Sequence, residues 1–335
     1  MKKISRRQLS RRDALAGGLA AGGAIVWRPR RARANAKVRL LTNWFAEPEH
    51  GGFYHAVATG LYDKAGLDVE LRQGGPSLNV MQLLAGGEAD VVMSYDIQIM
   101  TASEKGIPVK AIFTCFQFDL IGLLTRPDVN SLAELKGRKV YFAGSGYSTY
   151  WPWLKQKYGY TDDMAGPKAS NLQTFITDPT SAVAGYITSE PYVAEQHNIA
   201  TKFFLFANDG YPTYANTMAT TADFIKNNPD AVAAFTRASL EGWKAYMQDP
   251  TAGNALIKKI NTNMDDGQIN FGLKKIREVK AIESGDAATM GIGVITPERW
   301  QKTRDFLVSA NLLAAGTDTT QSMTTQFVKD LKIMM

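Results

Sequence analysis

Polar and aromatic residues follow the first apolar strand of the chain, in a loop whose residue types suit the binding of a small molecule. A strand predicted at 38–42 leads into Asn43 and Trp44, and the loop then reaches His50 and Gly51. The Trp44 indole offers a flat face for stacking, and the Asn43 amide offers a donor and an acceptor in fixed register. His50 and Gly51 open a predicted helix, where free backbone N–H groups favour acceptor or anionic atoms. The simpler alternatives are that Trp44 belongs to the core and that His50 is a surface capping residue.

The remaining candidates lie after other predicted strands or at the start of helices. They are Tyr54 in the first helix, Ser94, Tyr95 and Asp96 after the third strand, Gly144, Ser145 and Gly146 in a loop of the second half, Trp151 beyond that loop, and Glu190. Ligands of open α/β sheets bind beyond the carboxyl ends of the strands, so these positions are expected to converge on one cleft. Ser94 is equally a helix cap, and Glu190 is equally an acid favoured by a helix N-terminus. One of Tyr150, Trp151 and Trp153 is expected to face the cleft.

Two series of alternating strands and helices must position these residues. The first has predicted strands at 38–42, 68–72, 90–94 and 109–116, with helices at 53–64, 77–86 and 96–105. The second has predicted strands at 139–143, 184–188 and 203–206, and the chain is expected to return to the first series near 214–220. The remainder is predicted to be helical at 229–248, 252–260, 297–310 and 321–332. About 300 residues in this order predict an α/β protein of two lobes rather than of one core.

Five sequence blocks match the pattern of a known family. They are Asn43-Trp44, the run from His50 to Tyr54, the run from Gly60 to Val69, the run from Asp128 to Gly137, and the run from Ser189 to Tyr192. On these residues the chain resembles periplasmic substrate-binding proteins of ABC importers, in the nitrate/sulfonate/taurine and thiamine-pyrimidine-precursor group. The resemblance implies a type II clamshell with a mostly parallel, helix-flanked sheet in each lobe. It also implies a first lobe of residues 37–125 and 215–335 and a second lobe of residues 126–214, which close around a ligand.

The resemblance further implies a function and its partners. A monomer without a cofactor would deliver its ligand to a membrane permease and the associated ATPase. In the pyrimidine-binding branch an acid at the position of Glu190 would pair with an aminopyrimidine, whereas an anion carrier would avoid an unpaired carboxylate beside its ligand. The sequence therefore predicts capture of a small planar heterocycle, first of all a thiamine pyrimidine precursor such as formylaminopyrimidine. The alternatives are a nitrate-, sulfonate- or taurine-type anion carrier and an enzyme similar to the thiamine pyrimidine synthase.

Catalytic chemistry has little support in the residues. The synthase branch, which uses pyridoxal phosphate, carries a run of cysteines, whereas this chain has the single Cys115 between Thr114 and Phe116. Three histidines and one cysteine form no convincing metal set, and neither a G-x-S-x-G elbow nor a C-x-x-C motif is present. The sequence thus predicts a binding protein with no metal and no cofactor.

Residues 1–36 have the composition of an export signal. Ser-Arg-Arg triplets at 5–7 and 10–12 precede an apolar run at 14–26, which is shorter than the roughly 20 residues that span a bilayer. Small residues at 32–36 fit a cleavage site, and the paired arginines favour twin-arginine export over an Arg-rich Sec signal. The segment holds ten Lys and Arg and one acid, a net charge of +9, so the rest of the +6 chain carries −3. We therefore expect a periplasmic protein and no nucleic-acid partner.

Overall fold

The computed structural model describes residues 35–75, 78–168 and 172–335, which alternate between strands and helices. The strands are β1 (Ala36–Leu41), β2 (Leu67–Arg72), β3 (Val91–Ser94), β4 (Val109–Phe116), β5 (Ile121–Thr125), β6 (Val140–Phe142), β7 (Ala165–Pro167), β8 (Ala182–Tyr186), β9 (Lys202–Leu205) and β10 (Ala215–Thr221). The helices are α1 (Gly51–Ala58), α2 (Leu61–Lys64), α3 (Val80–Ala85), α4 (Asp96–Glu104), α5 (Tyr150–Tyr158), α6 (Gln173–Thr177), α7 (Glu190–Gln196), α8 (Ala222–Asn227), α9 (Pro229–Gln248), α10 (Thr251–Ile260), α11 (Asp266–Glu278), α12 (Ala287–Met290) and α13 (Pro297–Ser309). Short 3-10 helices lie at Pro48–His50, Leu132–Leu135, Gly144–Ser148, Asp162–Met164, Phe206–Asp209 and Thr320–Ser322.

The strands form two sheets that share one topology. The first sheet has the order β2-β1-β3-β10-β4, and the second has the order β7-β6-β8-β5-β9. In the first sheet β10 runs antiparallel to both of its neighbours, and in the second β5 does the same. The other strands of each sheet share one direction. The prediction of a two-lobed α/β fold with mostly parallel sheets is confirmed, and we call the two halves the first and the second lobe.

Two segments connect the sheets. The first crossing, residues 117–120, lies between β4 and β5, and the second crossing, residues 206–214, lies between β9 and β10. The boundary predicted after residue 125 lies beyond β5, part of which has the sequence of a crossover. Every residue of β5 is buried, and its pairing with β8 and β9 places it in the second sheet. A short apolar run of this kind cannot be assigned from periodicity alone.

Tertiary packing changes two of the predicted helices. The helix predicted at 53–64 is divided by Gly60, whose φ of +68° is left-handed and therefore suits glycine. The helix predicted at 321–332 is wrong, because this segment contains a 3-10 turn and Met323 forms a β-bridge with Ala111 of β4. By contrast, α9 has the bounds predicted for it.

The predicted export signal lies outside the described residues except for its last two. Of these, Ala36 pairs with Leu67 and is already part of β1. No helix of the described residues is both long and apolar enough to cross a bilayer.

Candidate functional site

A chain of hydrogen bonds joins the two lobes at the ends of β3 and β8. Tyr95 follows β3, Tyr186 ends β8, and their hydroxyl oxygens lie 2.5 Å apart. The Asn43 side chain is a further partner of the Tyr95 hydroxyl, and the Asp119 carboxyl is a partner of the Tyr186 hydroxyl. An ionised Asp119 only accepts, so Tyr186 donates to it and accepts from Tyr95. We call the region around these four side chains the interlobe cleft.

Asp119 lies in the first crossing, and its carboxyl is fixed by a backbone hydrogen bond from the start of β5. It is buried, and its Oδ1 accepts the N–H of Ile121 at 3.1 Å. Burial raises the pKa of Asp119 to about 7, and the nearby carboxyl of Asp96 adds to this effect. The side chain is therefore part charged and part neutral near neutral pH, beside a cleft that both lobes form.

Of the three aromatic candidates of the second lobe, Tyr150 is the one whose phenol lies near the charges of both lobes. Its phenol is buried and lies within reach of the charges of Asp119 and Glu190 and of the Tyr95 hydroxyl. Trp151, the predicted candidate, instead lies in the core of the second lobe. Its indole N–H donates to Asp162 at 2.9 Å, and its ring centroid lies 4.7 Å from that of Phe142.

Three carboxylates and one ammonium group meet beside the cleft. Glu47 and Glu49 come from the loop after β1, and Glu190 begins α7 in the second lobe. The ammonium of Lys168 lies 2.5 Å from Glu190 Oε1 and donates to the carbonyl of Ala184 at 2.9 Å. We call Glu47, Glu49, Lys168 and Glu190 the carboxylate cluster.

Glu190 is fixed in this cluster by its own lobe. Its Oε2 accepts the N–H of Tyr186 at 2.6 Å. A Cβ at Gly185 would lie 2.0 Å from the Glu190 carboxyl carbon, so glycine at this position lets the side chain fold back onto the strand. Each carboxylate oxygen still has a lone pair, and both can accept from a ligand.

Glu49 is buried by both lobes together. Its side chain is part of a residue that is 4% exposed, and the Thr188 hydroxyl of the second lobe donates to its Oε1. Asn216 of the first lobe donates to the Glu49 carbonyl at 2.7 Å. The Oε2 atom of Glu49 has no hydrogen-bond partner among the described residues. Burial raises the pKa of Glu49, and the negative charge of Glu190 adds to the shift.

Glu47 is subject to the same forces. Burial raises its pKa well above the usual range, and the carboxylates of Glu49 and Glu190 raise it further. The Trp44 side chain is a hydrogen-bond partner of the Glu47 carboxyl, which opposes the shift. Two acids of the first lobe therefore face an acid of the second lobe with one lysine among them.

Trp44 is not a core residue and His50 is not a surface cap, which were the simpler interpretations of the two positions. Trp44 is 40% exposed and meets Phe45 edge-to-face at 5.6 Å, so it does not belong to the core. His50 is buried rather than a surface cap, and its ring bonds to the Phe45 carbonyl. Burial lowers the pKa of His50 to about 4, so the ring is neutral at physiological pH. His50 fixes the loop that carries Trp44.

Several predicted site residues serve the fold. A Cβ at Gly51 would lie 2.0 Å from the Tyr246 ring of α9, so this glycine allows close packing of helices rather than approach of a ligand. Tyr54 is fully buried in an apolar cluster with Ala46. The Ser94 hydroxyl is buried and donates to Gln98 at 2.8 Å. None of these positions could be separated from cleft positions by residue type alone.

Asp96 is also a structural residue. Its Oδ1 accepts the N–H of Ile97 at 2.8 Å, and its Oδ2 accepts the N–H of Tyr214 at 2.9 Å and the hydroxyl of Thr303 at 2.8 Å. Burial raises the pKa of Asp96 to about 6, against the effect of these three donors. The carboxylate ties α4, the second crossing and α13 together, which corrects its predicted role as a ligand contact.

The glycine-serine loop directly precedes the helix that begins at Tyr150. Gly144, Ser145 and Gly146 belong to a 3-10 helix, and the Ser145 carbonyl accepts the hydroxyl of Thr149 at 3.0 Å. A Cβ at Gly146 would lie 2.7 Å from the Tyr150 hydroxyl oxygen, so this glycine leaves room for the phenol. A direct contact of the loop with a ligand stays a prediction.

Sequence reasoning missed Glu47, Glu49, Asp119, Lys168 and Tyr186. The two acids flanking Pro48 were a visible signal, because they lie in the same loop as Asn43, Trp44 and His50. Asp119 and Lys168 gave no such signal, because each lies in a connecting segment between strands.

The fold and the cleft define an α/β protein of the periplasmic-binding type, with polar groups of both lobes facing one another. The chain belongs to the NMT1/THI5-like family, whose pattern matches residues 47–253. It is similar to the riboflavin-binding protein RibY of Chloroflexus aurantiacus, at 24% identity over 87% of this chain and 86% of that protein. It is also similar to the formylaminopyrimidine-binding protein of Halalkalibacterium halodurans, at 25% identity over 72% of this chain and 74% of that protein. The fold is shared with the aliphatic sulphonate binding protein SsuA of Escherichia coli, with a TM-score of 0.65 at 14% identity over 86% of this chain and 92% of that chain.

Proposed function

We propose that the protein is the substrate-binding component of an ABC importer and captures a small planar heterocycle with an amino group in the interlobe cleft. The charge of the cleft is the observation that supports this proposal. Glu47, Glu49 and Glu190 surround a single lysine, Lys168, which already pairs with Glu190. Among the described residues a nitrate or sulfonate would find no unpaired cation there, whereas an amine finds acceptor oxygens.

The aromatic residues suggest how such a ligand would lie. The exposed Trp44 ring offers a stacking face on the first lobe, and Tyr150 offers one on the second. Asn43, Tyr95 and Glu190 would read the edge of the ring. A thiamine pyrimidine precursor is the first candidate, because the chain resembles the formylaminopyrimidine-binding protein and carries Glu190 at the start of α7.

Riboflavin is the second candidate ligand. The riboflavin-binding relative matches a larger share of the chain than the pyrimidine-binding relative does. An isoalloxazine ring has no amino group, but it is flat, and its ring N–H would be the donor that the acceptor oxygens of the cleft receive. In either case we propose export by the twin-arginine route, release in the periplasm as a monomer, and delivery to a permease with its ATPase.

Binding without turnover is part of the proposal. Cys115 is buried in β4, and burial raises the pKa of its thiol, so it is not a reactive nucleophile in the cleft. The synthase alternative is tested by incubating the protein with pyridoxal phosphate, histidine and iron. Formation of a pyrimidine product would overturn the transport proposal.

A thermal-shift panel tests the ligand class. The panel holds formylaminopyrimidine, riboflavin, taurine and nitrate, and a ligand at 100 times its Kd should add about 2.7 kcal/mol to the free energy of unfolding. We expect a shift with a heterocycle and none with the anions. Tyr186→Phe should reduce the shift, because it breaks the Tyr95–Tyr186 hydrogen bond, while Tyr141→Phe in β6 is the matched control. Stabilisation by taurine or nitrate alone would contradict the proposal.

A further inference from the structure

The burial of Glu49 depends on the contact between the lobes. Its carboxyl belongs to the first lobe, but the hydroxyl that donates to it belongs to Thr188 of the second lobe. The neighbouring backbone is fixed within the first lobe by Asn216. Separation of the lobes would therefore remove the Thr188 donor and the cover of the second lobe, and it would return the Glu49 carboxyl to water.

The charged groups around Glu49 leave it without a cation. Glu190 of the second lobe faces it, and Lys168 beside Glu190 is already paired with that carboxylate. Glu47, in the same loop, is a second acid rather than a counter-ion. His50, next in the chain, is neutral because burial lowers its pKa to about 4.

The elements beneath Glu49 supply no counter-charge either. Burial raises the pKa of the Tyr95 and Tyr246 phenols, and the negative charge of Glu49 raises both further. Both phenols are therefore neutral. Arg277 of α11 acts on Tyr246 and keeps its charge, but its guanidinium donates to the Met247 carbonyl at 2.8 Å and not to Glu49. Among the residues that the structure describes, the contact between the lobes thus brings three acids together with one lysine, which is already paired.

A buried acid without a counter-ion usually becomes neutral rather than staying charged. A protonated Glu49 could keep the Thr188 hydroxyl as a donor to one oxygen and carry its proton on the other. The Oε2 atom, which has no partner among the described residues, is the oxygen available for that proton. The geometry therefore favours a neutral Glu49 when the lobes are in contact and a charged Glu49 when they are apart.

We propose that closure of the two lobes takes up one proton from solvent at Glu49, so that the affinity for ligand rises as the pH falls. This inference rests on the proposed function, since it assumes that ligand capture closes the lobes. It adds a regulation of the same site. The proton comes from buffer and is released again when the lobes open.

The sign of the effect follows from linkage. With the lobes apart, Glu49 has an ordinary pKa of about 4.3. With the lobes in contact, burial raises the pKa of Glu49 above that value. The gain in affinity is complete below the open-state pKa and is lost as the pH rises through the closed-state pKa. Between the two values affinity falls by up to about tenfold for each unit of pH.

Single-molecule fluorescence tests the inference without any ligand. Cys115 is buried, so dyes attached through Glu88→Cys in the first lobe and Glu195→Cys in the second report the distance between the lobes. The closed fraction should rise as the pH falls from 8 to 5. Glu49→Gln, which cannot ionise, should clearly reduce this dependence, and Glu298→Gln at an exposed site of α13 should leave it unchanged. A flat wild-type response, or an equal response in wild type and Glu49→Gln, would overturn the inference.

Calorimetry provides a second readout that needs no variant. Titration with formylaminopyrimidine in two buffers of different ionisation enthalpy counts the protons taken up on binding. We expect an uptake approaching one proton in the window between the two pKa values. Zero uptake or proton release would contradict the inference while leaving the proposed function intact. Absence of binding would instead count against the proposed function, and the fluorescence experiment would still decide the inference.

Discussion

Asp96 and Glu49 are both buried acids near the contact between the lobes, but their surroundings differ. Asp96 accepts three hydrogen bonds, from Ile97, Tyr214 and Thr303, and both of its oxygens are used. Glu49 accepts the Thr188 hydroxyl and has its own backbone N–H as a further partner, but its Oε2 has no partner among the described residues. A buried carboxylate with all its hydrogen bonds made stabilises the fold. One with an unpaired oxygen indicates a role other than folding stability.

The partners of the two acids explain the difference. The donors to Asp96 lie in α4, the second crossing and α13, none of which belongs to the second lobe. The donor to Glu49 lies in the second lobe, so this bond exists only while the lobes touch. The comparison therefore assigns Asp96 to folding stability and Glu49 to the closed state.

The largest expected effect is a loss of folding stability on Asp96→Ala. The change leaves three buried donors without an acceptor, at about 1–3 kcal/mol for each. We expect the free energy of unfolding, measured by urea denaturation, to fall by at least about 3 kcal/mol. Glu49→Gln should cost about 1 kcal/mol or less, because it removes no more than one hydrogen bond. Equal losses in the two variants would break the comparison.

A pH series sharpens the comparison through Asp119. Its pKa is raised to about 7 in the folded protein. Its contribution to stability is therefore complete below the unfolded value of about 3.9 and is lost as the pH rises through 7, by at most about 1.4 kcal/mol for each unit. Asp119→Asn keeps the acceptor for the Ile121 N–H, and it should remove this component from urea midpoints between pH 4 and 8. A variant with the wild-type slope would contradict the assignment.

Two glycines extend the comparison to the backbone. Gly51→Ala places a Cβ 2.0 Å from the Tyr246 ring, and overpacking of this kind costs about 1–3 kcal/mol. Gly144 has nothing within 4 Å of its Cβ position, so Gly144→Ala is the matched control. Thermal unfolding should distinguish the two. An unchanged Gly51→Ala protein would mean that α1 and α9 separate more readily than their packing indicates.

The smallest effect is expected from Trp44→Ala. The side chain is 40% exposed, so the free energy of unfolding should change little. Ligand affinity should fall, because stacking contributes about 0.5–1.5 kcal/mol beyond the area that the ring buries. Calorimetry with formylaminopyrimidine and with riboflavin should show similar losses for both flat ligands. Unchanged affinities would remove Trp44 from the site.

The sequence predicted more of the fold than of the site. Helix α9 has the bounds predicted for it, because a long amphipathic pattern is a strong signal. Strand β5 and helix α11 were missed, since the first is a short apolar run whose pairing is long-range and the few apolar residues of the second lie among many polar ones.

The site was harder to predict because position along the chain does not show which way a side chain points. Asn43 is a hydrogen-bond partner of Tyr95, and Glu190 accepts from Tyr186, whereas Trp151 and Asp96 are bonded to residues away from this contact. The Tyr95–Tyr186 bond joins residues 91 positions apart, and no local pattern encodes such a contact.

The most direct test of the central claim compares a matched pair of ligands on two proteins. Formylaminopyrimidine and its 4-oxo counterpart, which lacks the ring amine, are titrated by calorimetry into the wild type and into Glu190→Gln. The variant also leaves Lys168 unpaired, but this disturbance is common to both ligands. A charged hydrogen bond contributes about 1.5–3 kcal/mol, so the variant should lose that much affinity for the aminated ligand and much less for the other. Equal losses for the two ligands would contradict the claim that the cleft reads an amino group through Glu190.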